Sequence, residues 1–139
     1  MSEMFLPRFM IAAPNSGSGK TTVVCALLKA LLDQEYKVAA FKSGPDYIDP
    51  MFHSRVIGAK SRNLDLFMLG RETTKHLLAK NAADCDIAVL EGAMGFYDGM
   101  GKTEQYSAYD LAHATKTPVI LVVNGKGAAL SLAALLKGL

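Results

Sequence analysis

Ala13-Pro14-Asn15-Ser16-Gly17-Ser18-Gly19-Lys20-Thr21-Thr22 is the stretch whose reading decides the fold. It follows the apolar run Phe9-Met10-Ile11-Ala12 and precedes a long apolar-rich segment starting near Val23. Strand, glycine loop, Lys-Thr and helix is the order that a phosphate cradle requires. Gly17 and Gly19 permit backbone conformations closed to other residues, so successive N–H groups can turn inward. Asn15, Ser16, Gly17, Ser18, Gly19, Lys20, Thr21 and Thr22 are therefore the expected phosphate-binding residues. Lys20 would reach the β- and γ-phosphates, and the Thr21 hydroxyl would face Mg²⁺. The common form of this loop has a glycine where Pro14 stands; here five residues separate Ala13 from Gly19. The competing reading is a Gly/Ser turn that merely precedes Lys-Thr, and the strand-then-helix context weighs against it.

Outward from the loop, strands and helices are expected to alternate. The first strand should run from about Arg8 to Ala13 and the first helix from Lys20 to Leu32. That helix is apolar nearly all round, which predicts deep burial. Lys37 to Lys42 reads as a second strand, short and mostly apolar like a parallel strand covered on both faces. In Ser43-Gly44-Pro45-Asp46-Tyr47-Ile48-Asp49-Pro50, two prolines and a glycine rule out regular structure. Residues 51–70 carry no clear period, although Met51 to Ile57 suits a short helix. Thr73 or Thr74 could cap a helix ending near Lys80.

Asp86-Ile87-Ala88-Val89-Leu90-Glu91-Gly92 is the third expected strand. An acid after an apolar run is where phosphate-loop enzymes place a second Mg²⁺ contact, usually as Asp. Ala93 to Thr103 is a glycine-marked loop holding Tyr97 and Asp98. A helix over 107–115, a fourth strand over 118–124 and a final helix over 127–136 complete the pattern, with Gly138 as its stop. The fold class is thus α/β, a three-layer phosphate-loop type with a mainly parallel sheet and helices on both faces. No later element could read a purine base, so the expectation is an incomplete domain from a longer protein.

With 139 residues, 50% hydrophobic and 20% charged, the chain is a single domain of ordinary composition. A net charge of +2 is too small to argue for nucleic acid or membrane binding. Asn124 to Gly127 splits the most apolar region, leaving neither half long enough to span a bilayer. Met1 to Phe5 lack a charged region followed by an apolar one, so no secretory leader is expected, and Cys25 and Cys85 lack paired spacing. A reducing cytoplasm with two small buried thiols is the expected setting. His53, His76 and His113 show no ligand spacing, so solvated or core imidazoles are expected, and His53 follows the acidic loop. Tyr106 and Tyr109 read as packing residues.

The chain resembles the N-terminal domain of the cobyrinic acid a,c-diamide synthase family, corrin-pathway amidoligases related to dethiobiotin synthetase. Three motifs carry this: Ala13 to Thr22, Lys42-Ser43-Gly44-Pro45-Asp46-Tyr47-Ile48-Asp49-Pro50, and Leu90-Glu91-Gly92-Ala93-Met94-Gly95-Phe96-Tyr97-Asp98-Gly99. The first alone indicates only a nucleotide site, whereas the other two together are specific. The loop spacing is that of dethiobiotin synthetase, with Ala13 replacing its glycine. Asn124 departs from the acid that often follows the fourth strand in the family.

The resemblance implies ATP and Mg²⁺ as cofactors and a phosphorylated carboxylate as intermediate. Ammonia then displaces the phosphate; it comes from glutamine through a C-terminal glutaminase domain that this chain lacks. Cobyrinic acid, amidated at its a and c carboxylates, is the implied substrate, and nickel-sirohydrochlorin would suit the same motifs. A homodimer stays open. Thr21, Asp46 and Glu91 would approach Mg²⁺, which uses one or two carboxylates with phosphates and waters. Lys20, Lys42, Asp46 and Glu91 form the implied catalytic set, with Lys42 near the γ-phosphate and the attacking carboxylate. Tyr47, Asp49 and Asp98 would line the acceptor side. Each also has a plainer reading. Asp46, Asp49 and Asp98 could shape turns, Lys42 could be a solvated strand end, and Glu91 a buried acid paired elsewhere. A partitioning-type ATPase switch is the alternative class, but its signature lysine position is Asn15 here.

Overall fold

The computed structural model describes residues 5–44 and 48–139, without the side chains of Ile48, Asp49 and Val56. Five parallel strands form the sheet: β1 (Arg8–Ala12), β2 (Val38–Ser43), β3 (Lys60–Leu64), β4 (Ile87–Glu91) and β5 (Val119–Leu121). Their spatial order is β3-β2-β4-β1-β5. Helices α1 (Lys20–Asp33), α2 (Ile48–Phe52), α3 (Leu66–Ala82), α4 (Ala108–Thr115) and α5 (Ser131–Gly138) connect them, and a π-helical turn at His53–Ile57 follows α2.

Period-two alternation divides the central strands between two cores. Val38 and Ala40 of β2, with Ile11 and Val89, pack with Val24 and Leu28 of α1. Ala39 and Phe41, with Met10 and Leu90, pack on the other face with Leu78 of α3 and Leu111 of α4. This is the three-layer arrangement expected from the alternation of elements.

Several expectations change. Regular structure begins inside the stretch from which the prolines were expected to exclude it: α2 starts at Ile48 and includes Pro50, because proline is tolerated in the first turn of a helix. β3 joins the sheet edge beside β2, with Ala39 opposite Lys60 and Ser43 opposite Leu64. Its sequence, Lys60-Ser61-Arg62-Asn63-Leu64, is polar because only Ser61 and Leu64 are buried. Helix α3 starts at Leu66, capped by Asp65, whose carboxylate accepts from the N–H groups of Phe67 and Met68. Thr74 is instead a buried helix residue whose hydroxyl donates to the Gly70 carbonyl. Helix α1 buries one stripe, Lys20, Val24 and Leu28, rather than its whole circumference, and Ala26 and Ala30 face solvent. Gly138 falls inside the assigned span of α5 rather than stopping it, and no residue of that helix is buried. Cys25 and Cys85 are half-buried, and burial, then Asp84, pushes the Cys85 thiol up.

Candidate nucleotide and metal site

The carboxyl ends of β1, β2 and β4 lie side by side, and loops leaving such ends are where open α/β sheets take ligands. The β1 loop enters α1 through Gly19 at φ 93°, and Gly17 also takes a positive φ of 77°. A β-carbon is strained in that region, which is why glycines stand there. Among the described residues, no side chain caps α1. Its first N–H groups, with the positive end of the helix dipole, are thus presented to an anion. Ser18 Oγ donates back to Asn15, closing the loop on itself.

Glu91 is the centre of the side-chain cluster. In the sheet it stands opposite Lys42 of β2 and Ile11 of β1. Register partners in a parallel sheet lie on one face about 4.8 Å apart. Lys42 Nζ consequently reaches Glu91 Oε1 at 3.2 Å. Thr21 Oγ1 donates to the same oxygen at 2.8 Å. Glu91 is fully buried, and its Oε2 accepts no hydrogen bond among the described residues. His53 Nε2 lies 3.9 Å from that Oε2, and His53 Nδ1 lies 3.4 Å from Ser61 Oγ. The imidazole is thus the buried core kind. Sequence reading missed this contact, and its one signal was the position of His53 after the acidic loop.

Lys20 Nζ donates to the Met94 carbonyl at 2.7 Å. Burial, then the neighbouring Lys42 cation, lowers the Lys20 pKa, while Glu91 and Asp98 oppose that shift. The segment after β4 is fastened onto the phosphate loop by Gly92 N–H to Ile11 O and Phe96 N–H to Ala13 O, both 2.8 Å. Asp98 Oδ2 accepts from Gly95 N–H at 3.1 Å, so Asp98 shapes its turn as well as bordering the cleft beside Lys42. Asn124 Oδ1 accepts from Lys126 N–H, a local turn contact. Tyr109 packs among Phe96, Tyr97 and His113. Asp46 and Tyr47 lie outside the described residues, as does the side chain of Asp49.

A hydroxyl and a carboxylate oxygen are hard donors of the kind Mg²⁺ takes. Adjacent ligands of an octahedral ion at 2.0–2.1 Å are about 2.9 Å apart. Thr21 Oγ1 and Glu91 Oε1 are 2.8 Å apart. The described residues hold no cluster of three His, Cys, Asp or Glu side chains suited to a metal. An ion here would draw its remaining ligands from phosphates and water, as Mg²⁺ commonly does.

A parallel sheet with glycine loop, uncapped helix, lysine and strand-end acid defines a phosphate-loop nucleotide-binding domain. Residues 9–135 match the family described as CbiA, the CobQ/CobB/MinD/ParA nucleotide binding domain, and the chain belongs to that family. It is 50% identical over 135 residues to a cobyrinate a,c-diamide synthase of Thermoplasma volcanium, covering 97% of this chain and 30% of the relative. The Thermoplasma acidophilum protein of that name is 43% identical over 136 residues, covering 98% and 31%. A hydrogenobyrinate a,c-diamide synthase of Streptomyces coelicolor is 46% identical over 134 residues, covering 96% and 28%. The chain therefore spans a little under a third of the length of these relatives.

Proposed function

We propose that this chain is the ATP-binding, carboxylate-activating part of a cobyrinate a,c-diamide synthase. The observation that carries the reading is the meeting of Thr21, Lys42 and Glu91 within hydrogen-bond and ion-pair distance beside the phosphate loop. The names of the relatives supply the substrate. A carboxylate oxygen of the corrin attacks the γ-phosphorus, and ADP leaves with the electrons of the broken P–O bond. Ammonia then attacks the acyl carbon, loses a proton, and inorganic phosphate departs. Glutamine hydrolysis in a separate glutaminase domain supplies the ammonia.

Catalysis of phosphoryl transfer is mainly positioning and charge stabilisation. The amides of residues 15–22 hold the phosphates, and Lys20 moves from the Met94 carbonyl to the β/γ oxygens. Lys42 offsets repulsion between the γ-phosphate and the incoming carboxylate. Thr21 and Glu91, with Asp46 as the further candidate, would hold Mg²⁺ directly or through water, and a bound ion would supply charge neutralisation. Asp98 borders the cleft, and Tyr47 and Asp49 remain acceptor-side candidates on the family resemblance alone.

The name of the Streptomyces relative favours a second substrate, hydrogenobyrinate. Full-length protein incubated with ATP, glutamine and either corrinoid should yield mono- and diamides detectable by mass. Nucleotide-driven dimerisation without any amide product would instead support a partitioning-type switch.

A further inference from the structure

We propose that the cleft between the first turn of α3 and the segment after β4 seats one face of the corrin macrocycle. It holds about 640 Å³, within the range of small-molecule sites. The inference rests on the corrinoid reading above and adds to it where the ring lies.

Large apolar side chains gather here without being buried. Phe67 is 62% exposed and Met68 72%, although Leu66 beside them is core. Met94 and Met100 are each about half exposed on the opposite wall. Tyr106 closes one side, with its ring edge-to-face with Phe67 at 5.3 Å between centroids. A contiguous patch of this kind marks a ligand or partner surface. Methionine and aromatic edges suit a puckered, polycyclic, mostly apolar ligand, because thioether chains adapt to irregular shapes.

Position selects the acceptor over the nucleotide base. Lys20 is the residue that reaches the β/γ end of a nucleotide, and its Nζ is bonded to Met94, which lines the cleft. The cleft therefore adjoins the γ-phosphate end. Lys42 also lines it while contacting Glu91. A corrin has an apolar ring and a carboxylate periphery. With its ring on Phe67, Met68, Met94 and Met100, a peripheral carboxylate is placed beside Lys42, where transfer is proposed to occur.

The test uses full-length protein carrying Phe67→Ser with Met68→Gln, and separately Met100→Gln, all at exposed positions. Corrinoid affinity is read from the visible spectrum of cobyrinic acid, and Mg-ATP affinity by calorimetry. Both variants should bind cobyrinic acid about tenfold or more weakly, the scale of lost apolar contacts in a pocket, with ATP affinity unchanged. Equal corrinoid affinity in wild type and variants overturns the cleft assignment alone. ATP affinity falling in step with the corrinoid gives the cleft to the nucleotide. A changed oligomeric state or lowered melting temperature at constant corrinoid affinity gives it to a protein contact. Wild-type protein that binds ATP but not cobyrinic acid overturns the substrate reading and this inference with it.

Discussion

At Glu91, two oxygens are divided among three neighbours: Thr21 and Lys42 on Oε1, His53 facing Oε2. His53 Nε2 stands 3.9 Å from Oε2, beyond hydrogen-bond distance, and Nδ1 lies 3.4 Å from Ser61 Oγ, a contact either tautomer can make. On the proposed Mg²⁺ arrangement, His53 would be the outer-shell neighbour of the Glu91 carboxylate. Outer-shell partners of metal ligands are worth about 10–100-fold in affinity. His53→Leu should therefore lower the ratio of ATP affinity with Mg²⁺ to that with EDTA by about that factor. His53→Gln, whose amide N–H can reach toward the same carboxylate, should restore it. A histidine that only filled space would lower the melting temperature and leave the ratio alone. Gly95 supplies a second residue-scale prediction. A β-carbon there would sit 2.5 Å from the Pro14 carbonyl oxygen, which is backbone and cannot swing aside. Gly95→Ala should push the segment off the phosphate loop and weaken ATP binding, read by calorimetry.

At the scale of elements, α3 contains the informative irregularity. Gly70 has φ 74° and ψ 168° inside the helix span, a region essentially reserved for glycine. The break lets the turn Leu66–Leu69 depart from the axis of the rest, with Leu66 pointing in and Phe67 and Met68 out. Gly70→Ala should cost about 1–3 kcal/mol in chemical denaturation. It should also weaken cobyrinic acid binding more than ATP binding, because the displaced turn belongs to the cleft wall. Neither this bend nor β3 is legible in the sequence. A polar edge strand buries only alternate residues, and Lys60-Ser61-Arg62-Asn63-Leu64 has too few apolar positions to show a period. The helix over 107–115 was legible because its signals are local. Ser107 caps it, with its Oγ accepting from Asp110 N–H at 3.1 Å.

For the molecule as a whole, the site places charge where the fold does not favour it. Lys20 and Lys42 are both buried and lie near each other. The folded Lys20 titrates below its ordinary value, chiefly through burial. Between the two values the unfolded chain binds more protons, so this group's contribution to stability rises with pH across that alkaline window. Lys20→Met should accordingly melt at a higher temperature than wild type at neutral pH, while losing ATP binding. The advantage should shrink as pH rises through the folded pKa toward the ordinary lysine value, as measured by thermal melts across pH. Equal melting curves at every pH would remove the burial cost from the account.

By itself the sequence determined the phosphate loop, the strand that ends in Glu91, the parallel α/β class and the family, because each rests on neighbours in the chain. Glycine placement, apolar runs and strand-end charges act within a few residues and need no partner to be read. Only the tertiary structure decided that Glu91 faces Lys42, Thr21 and His53, and that Lys20 rests on Met94. Those contacts join residues 38 to 74 positions apart or set across a sheet. Strand order and register bring them together, and neither is written in any local stretch of chain.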